Sequence, residues 1–302
     1  MASRCACCRW DLWRSIDTLQ ASPIGAVTAD DRVHDALDWI VKSLALPSDR
    51  YRYWAEYSSE LLRIARTTKR QEISDTALSA VEDLVHFAYT RGFVNSTPED
   101  LPSLIDFLIV TLLSDRFGRP RPVVLVGQDG LFDVAKKAGA FSSSTDYLCL
   151  RLIAAYLARN ANISIGLDFS EALASARQVI RDSYRASATD GSVAFLLTHV
   201  LLCCSAYGAQ RCCESEFETE VRLLVSLLPH SIQTWDYELV SEIVLALDSV
   251  GWYCQREDEL TSVTEWISNG QQSDGGWPAT KHRRGSDRRH TTVCAIHALQ
   301  VR

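Results

Sequence analysis

The sequence predicts an all-α protein of stacked helical hairpins, either an open α-solenoid or one closed into a ring. Three observations predict it. Apolar residues recur at i, i+3, i+4 and i+7 in one segment after another. Helix start and stop residues bracket many of these segments. Strand-type patterning is confined to Pro122–Val126, a short β-branched run bounded by turn residues on both sides.

The periodicity places helices near 10–20, 30–46, 50–68, 73–91, 98–117, 129–139, 144–160, 168–186, 191–208, 215–228, 236–252, 257–269 and 290–301. Asp30 stands before the second. Ser74 and Asp75 are expected to open the fourth. Thr97-Pro98-Glu99-Asp100 puts proline at a first helical position, with acids in the first turn. Ser144 and Asp190 stand where caps belong. Gly92, Gly118, Gly208 and Gly251 each follow an apolar-periodic run, as C-terminal stops do. Residues 1–302 read as one domain, with a possible seam near 118–130, where Arg119–Pro122 and Gly127–Gly130 flank the extended run.

Composition narrows the function classes. A hydrophobic fraction of 47% with a net charge of only −7 is that of a folded globular chain. A sequence pI near 5.5 argues against a dedicated nucleic-acid binder, which needs a basic surface. The longest apolar stretches, Leu104–Leu113 and Phe195–Gly208, carry Asp106 and His199 and fall short of the roughly 20 residues of a membrane span. The start has no apolar run of signal-peptide type. The ten cysteines, including the adjacent Cys203-Cys204, read as reduced, mostly core thiols of a cytoplasmic protein.

The segment Trp266-Ile267-Ser268-Asn269-Gly270-Gln271-Gln272-Ser273-Asp274-Gly275-Gly276-Trp277, followed by His290-Thr291-Thr292, carries a resemblance. It is similar to the Gln-Trp repeat of squalene and terpene cyclases, shared by protein prenyltransferase β subunits. In such a joint two glycines allow a sharp turn, Gln and Asp satisfy helix-terminal groups, and Trp packs over the corner. The resemblance implies an α/α toroid, or incomplete α/α barrel, around an apolar cavity. It covers one copy of the repeat, about sixty residues with the flanking helices. The protonating Asp-x-Asp-Asp motif of class II cyclases does not occur in the chain. Asp30-Asp31-Arg32-Val33-His34-Asp35 has a spacing unlike the Asp-rich motif of class I synthases and reads as a helix start. Prenyltransferase β subunits bind zinc through an Asp and a Cys on one segment and a His near the chain end. His290-Thr291-Thr292 resembles that His segment, but no Asp-x-Cys pair accompanies it; Asp146-Tyr147-Leu148-Cys149 has one residue too many.

Several residues are candidates for chemistry. His199 lies in the most apolar stretch, where an imidazole must be hydrogen-bonded or functional. Glu238 and Glu242 share one face of another apolar helix, and Asp236 stands at its N-cap position. A shared cavity would make His199 and Glu242 a proton-trading pair; a structural ion pair is the alternative. Asp236 is assigned to orientation, and His290 to binding or protonation at the cavity mouth. His290, Cys294 and His297 fall at i, i+4 and i+7 and can serve zinc from one helix face, or be a helix start and core residues. No metal ligand is assigned on this basis. Trp235, Tyr237 and Trp277, with Trp54, Tyr57, Trp252 and Tyr253, are either aromatic walls for an apolar ligand or ordinary core. Arg288 and Arg289 end a basic loop from Arg283 that is either solvated or closes over an anionic group.

The leading expectation is a terpene-cyclase-like enzyme of secondary metabolism, without a required cofactor. It would hold an apolar or carrier-bound small molecule for acid/base-assisted cyclisation, isomerisation or elimination. The alternatives are a helical-repeat scaffold for a peptide or protein, and a zinc-dependent prenyltransferase-like transferase.

Overall fold

The computed structural model describes residues 29–44, 47–68, 70–91, 98–122, 144–186, 191–279 and 288–301, with a few positions between 131 and 136. The helices expected at 10–20 and 129–139, the extended run, Gly92, the Asp190 cap and Cys5–Cys8 lie wholly or mostly outside these residues. Among the described residues there are eleven α-helices and no strand. They are α1 (Ala29–Ser43), α2 (Pro47–Thr67), α3 (Gln71–Arg91), α4 (Leu101–Arg116), α5 (Thr145–Ala161), α6 (Phe169–Arg185), α7 (Gly191–Cys204), α8 (Glu218–Gln233), α9 (Tyr237–Ser249), α10 (Glu257–Asn269) and α11 (Arg288–Leu299). Short 3₁₀ turns cover Glu214–Phe217 and Trp252–Gln255.

Local chemistry sets the ends. Asp100 caps α4 by accepting from Ser103 N at 2.9 Å, and the Ser103 hydroxyl oxygen accepts from Asp100 N at 3.0 Å. Helix α4 therefore starts three residues later than the Thr97-Pro98 signal predicts, because the Asp100 box outranks proline. Ser144 caps α5, Asp168 caps α6 and Asp236 caps α9. Helix α3 starts at Gln71, not at Ser74. Ser74 instead donates to the Ala65 carbonyl at 2.9 Å and ties the α2–α3 turn. Helix α8 runs through Pro229 to Gln233, where the sequence predicts a stop at 228. Burial of Leu228, Ser231 and Ile232 carries that last turn past the proline.

Helices α7, α9 and α11 are buried on nearly every side, and from Thr291 to Leu299 every residue is interior. Helices α6 and α10 bury one stripe each and expose the rest. The packing order follows this division. Helix α2 packs on α4, α4 on α5, α5 on α7, α7 on α9, α9 on α11, and α11 on α2. The more exposed helices lie over these: α3 on α2, α6 on α5 and α7, α8 on α7 and α9, α10 on α9 and α11, and α1 on α11. No helix among the described residues is long and apolar enough to cross a membrane.

The Gln271–Trp277 joint links α10, α11 and α1. The Gln271 amide donates to the carbonyls of Arg32 and Gly275, each at 2.8 Å. Gly275 sits at φ +96°, and a Cβ there would lie 2.6 Å from the Asp35 carbonyl oxygen. A Cβ on Gly276 would meet the Trp39 ring at 2.9 Å, so both glycines are dictated by close approach to α1. Trp277 is fully buried, donating Nε1–H to Ile267 O at 2.6 Å, and its backbone N–H reaches Thr292 Oγ1 at 2.9 Å.

Candidate functional site

The interior faces of α7, α9 and α11 carry the polar groups. On α9, Glu238 and Glu242 lie one turn apart, both buried, in a largely apolar helix. On α11, His290 and Cys294 lie one turn apart and face them. The His290 Nε2 atom is 3.7 Å from Glu238 Oε1, 3.8 Å from Glu242 Oε1 and 3.7 Å from Cys294 Sγ. The Thr291 hydroxyl points at Glu238 Oε2 from 3.5 Å. His290 is the partly exposed member, at the first turn of α11.

From α7, Thr198 donates its hydroxyl to Glu242 Oε2 at 2.8 Å. His199 Nδ1 donates to the Phe195 carbonyl at 2.9 Å and lies 3.3 Å from the Thr198 oxygen. That leaves Nε2 for the Cys149 thiol of α5, which is hydrogen-bonded to the ring. The expected pair, His199 and Glu242, is thus linked through one hydroxyl, with His290 on the carboxylate's other side.

Electrostatics separates the groups. Burial opposes the charged form of His199, but the Cys149 thiol, the Glu242 carboxylate and the Phe195 carbonyl outweigh it and raise the pKa to about 9. Burial likewise opposes ionised Glu242, yet His290, His199 and Thr198 bring it below the usual carboxylate value. Burial holds the Cys294 thiol up to about 11.

A second buried group continues along α11. His297 Nε2 lies 3.0 Å from Arg63 Nε and 3.1 Å from Glu60 Oε2, and Arg63 is ion-paired with Glu60. Nε2 can accept from Arg63 Nε–H or donate to Glu60 Oε2, the choice depending on the protonation of the ring. Burial and the Arg63 charge lower its pKa to about 4. Glu60, though disfavoured as an anion by burial, is held at about 2 by Arg63 and His297. The Arg63 guanidinium also stands 4.9 Å over the Tyr207 ring.

The remaining candidates fall elsewhere. Asp236 is the N-cap of α9, accepting from Leu239 N at 3.0 Å. Trp235 is 53% exposed, at an outer position and not an interior wall. Tyr237 is buried and stacks on Trp266 with centroids 4.5 Å apart. Trp277 is the packed corner of the α10–α11 joint. Arg288 is occupied there too, donating to Asp274 Oδ2 at 2.6 Å and to the Trp277 carbonyl at 3.1 Å, with its guanidinium 4.7 Å over Trp39. Arg289 follows it, partly buried in the first turn of α11. Residues 283–287 lie outside the described residues. Trp54, Tyr57, Trp252 and Tyr253 are core.

Thr198, Cys149, Glu60 and Arg63 are partners the sequence reading does not single out. Thr198 had a signal, as a hydroxyl beside a histidine in an apolar helix. Glu60 and Arg63 had none, because an i, i+3 charge pair in a polar helix looks solvated. Comparison with protein families, with curated proteins and with solved structures gives no match for this chain.

Proposed function

We propose that the protein is an enzyme of the α/α-toroid class that moves protons on an apolar substrate held against α7, α9 and α11. Six helices, α2, α4, α5, α7, α9 and α11, form the inner ring in this reading, and α1, α3, α6, α8 and α10 belong to the outer one. Its support is the packing order, in which each inner helix touches the next and α11 returns to α2. The Gln271–Trp277 joint supports it as well, since it turns the chain from an outer helix into an inner one.

One observation carries the chemical reading: the chain of His290, Glu242, Thr198 and His199 across three of the most buried helices. An imidazole and a carboxylate joined by a hydroxyl can donate a proton at one point of a hydrocarbon-like substrate and accept one at another. Isomerisation and protonation-started cyclisation use both steps, and elimination uses the second, with the leaving group supplied by the substrate. The surrounding apolar side chains exclude water from carbocation-like intermediates.

The test is incubation of the purified protein with squalene and, separately, with geranylgeranyl diphosphate, followed by mass-spectrometric analysis of products. The expected result is a rearranged or cyclised product. Glu242→Gln and His199→Gln should retain the thermal midpoint within a few degrees and lose turnover by about 10²–10⁴-fold. Wild-type protein that neither binds nor converts either compound, or folded variants with full turnover, would remove the reading.

A further inference from the structure

We propose that Glu242, His290 and Cys294 form a binding site for a zinc-class divalent metal ion, with Glu238 beside it to accept from metal-bound water. The reasoning starts from distances. One ligand atom from each of the three residues lies within 4.8 Å of the other two. The His290 Nε2 separation of 3.8 Å from Glu242 Oε1 is long for a direct hydrogen bond, and the 3.7 Å to Cys294 Sγ is a weak sulfur contact. They suit atoms gathered around one ion. Bonds of about 2.0–2.3 Å in tetrahedral geometry separate ligand atoms by roughly 3.3–3.7 Å. The two His290 spacings lie within a few tenths of an ångström of a tetrahedral site, and the Glu242–Cys294 pair, within 4.8 Å, closes by rotation of the side chains.

The donor chemistry agrees. Thiolate, imidazole and carboxylate together select a borderline-soft metal over magnesium or calcium. Glu242 and Cys294 are buried and sit on two helices that pack directly on each other, so the backbone presets the site. His290, with its side chain 30% exposed, gives the ion a way in. Three protein ligands leave a fourth position open, the arrangement of catalytic rather than structural zinc. Glu238 Oε1, 3.7 Å from His290 Nε2, is placed to hold a water there. On binding, Cys294 loses its proton to solvent as the sulfur–metal bond forms, with no change of oxidation state.

A metal bound here occupies Glu242 and His290, so the proton chain of the proposed reaction operates in the metal-free protein, and the site is measured without substrate to keep the two outcomes separate. Full-length protein stripped by chelator is titrated with Co²⁺ and then Zn²⁺. Expected are saturation at one equivalent, a thiolate-to-cobalt charge-transfer band, and displacement of that band by zinc. Cys294→Ser should abolish the band, and His290→Gln should weaken binding by at least about tenfold. Cys213→Ser, at an exposed thiol remote from α11 in sequence, should change neither. His290 is partly exposed at a helix start, so its variant tests the site even if Cys294→Ser does not fold. No saturable binding by folded wild type, or a cobalt spectrum and affinity untouched by both α11 variants, would overturn the proposal. The second result would place the metal on other cysteines.

Discussion

Thr198 shows how much a single hydroxyl can do in an interior of this kind. Its proton reaches Glu242 Oε2 at 2.8 Å as well as the Phe195 carbonyl at 2.9 Å, and the other oxygen of that buried carboxylate faces His290. Replacing Thr198 with valine keeps the shape and removes the donor, leaving an ionised group short of one hydrogen bond. The expected loss of stability is about 1–3 kcal/mol. Thr111→Val is the matched comparison, because that buried hydroxyl only doubles a bond to its own helix carbonyl, Phe107 O, at 2.9 Å. It should cost less than Thr198→Val in urea denaturation; equal costs would mean that Glu242 does not depend on Thr198. Polar residues inside apolar helices were the legible part of the candidate site: His199 and Glu242 stand out against their neighbours in sequence, whereas His290 was singled out by resemblance and by its place after the basic loop. Their partners were not legible, because Cys149 and Thr198 are unremarkable as residue types and acquire meaning only where α5, α7 and α9 meet. Trp235 and Trp277 were just as conspicuous as residue types, and only the structure places them. Both are aromatic and near the right segment, but one sits outside and the other fills a corner.

At the scale of elements, helix positions followed from periodicity and their ends from caps, so the differences are instructive. Asp100 moved the start of α4, Ser74 was taken by a turn, and Pro229 did not end α8. In each case a specific bond or burial outweighed a local preference. The α10–α11 joint was the best-read element, since Gln271, Asp274, Gly275, Gly276 and Trp277 all make the local contacts that such a turn requires. It also makes a contact no sequence shows, the seating of the glycines against α1. Gly275→Ala should therefore cost roughly 2–3 kcal/mol, combining positive-φ strain with the clash against Asp35 O. Gly251 has a similar backbone, φ +75°, but nothing closer than 3.6 Å to a Cβ. Gly251→Ala isolates the strain and should cost about 1 kcal/mol. Matching losses in the two variants would show that α1 does not constrain the joint.

At the scale of the whole molecule, Glu60, Arg63 and His297 join α2 to α11, an early helix of the described chain to its last. Contacts between helices so far apart in sequence have no local signature, so the sequence could offer hairpins without saying how they pack on one another. The contact is also acid-sensitive, with a sign that can be worked out. His297 is lowered to about 4 in the folded state, from an ordinary value near 6.5, so between those pH values the unfolded chain binds the extra proton. Glu60 is lowered to about 2, so its contribution is complete above the ordinary carboxylate range and fades as pH falls toward 2. Both shifts act in one direction: stability falls as pH drops, first through the His297 window and then through the Glu60 window. For His297 the loss from pH 6.5 to 4 amounts to up to roughly 3 kcal/mol. Urea denaturation at pH 7, 6, 5 and 4 measures it. His297→Asn removes the titrating imidazole, so its stability should change less steeply between pH 6.5 and 4.5 than that of wild type. Parallel curves would show that protonating His297 does not load the α2–α11 contact, and that acid unfolds the molecule from elsewhere.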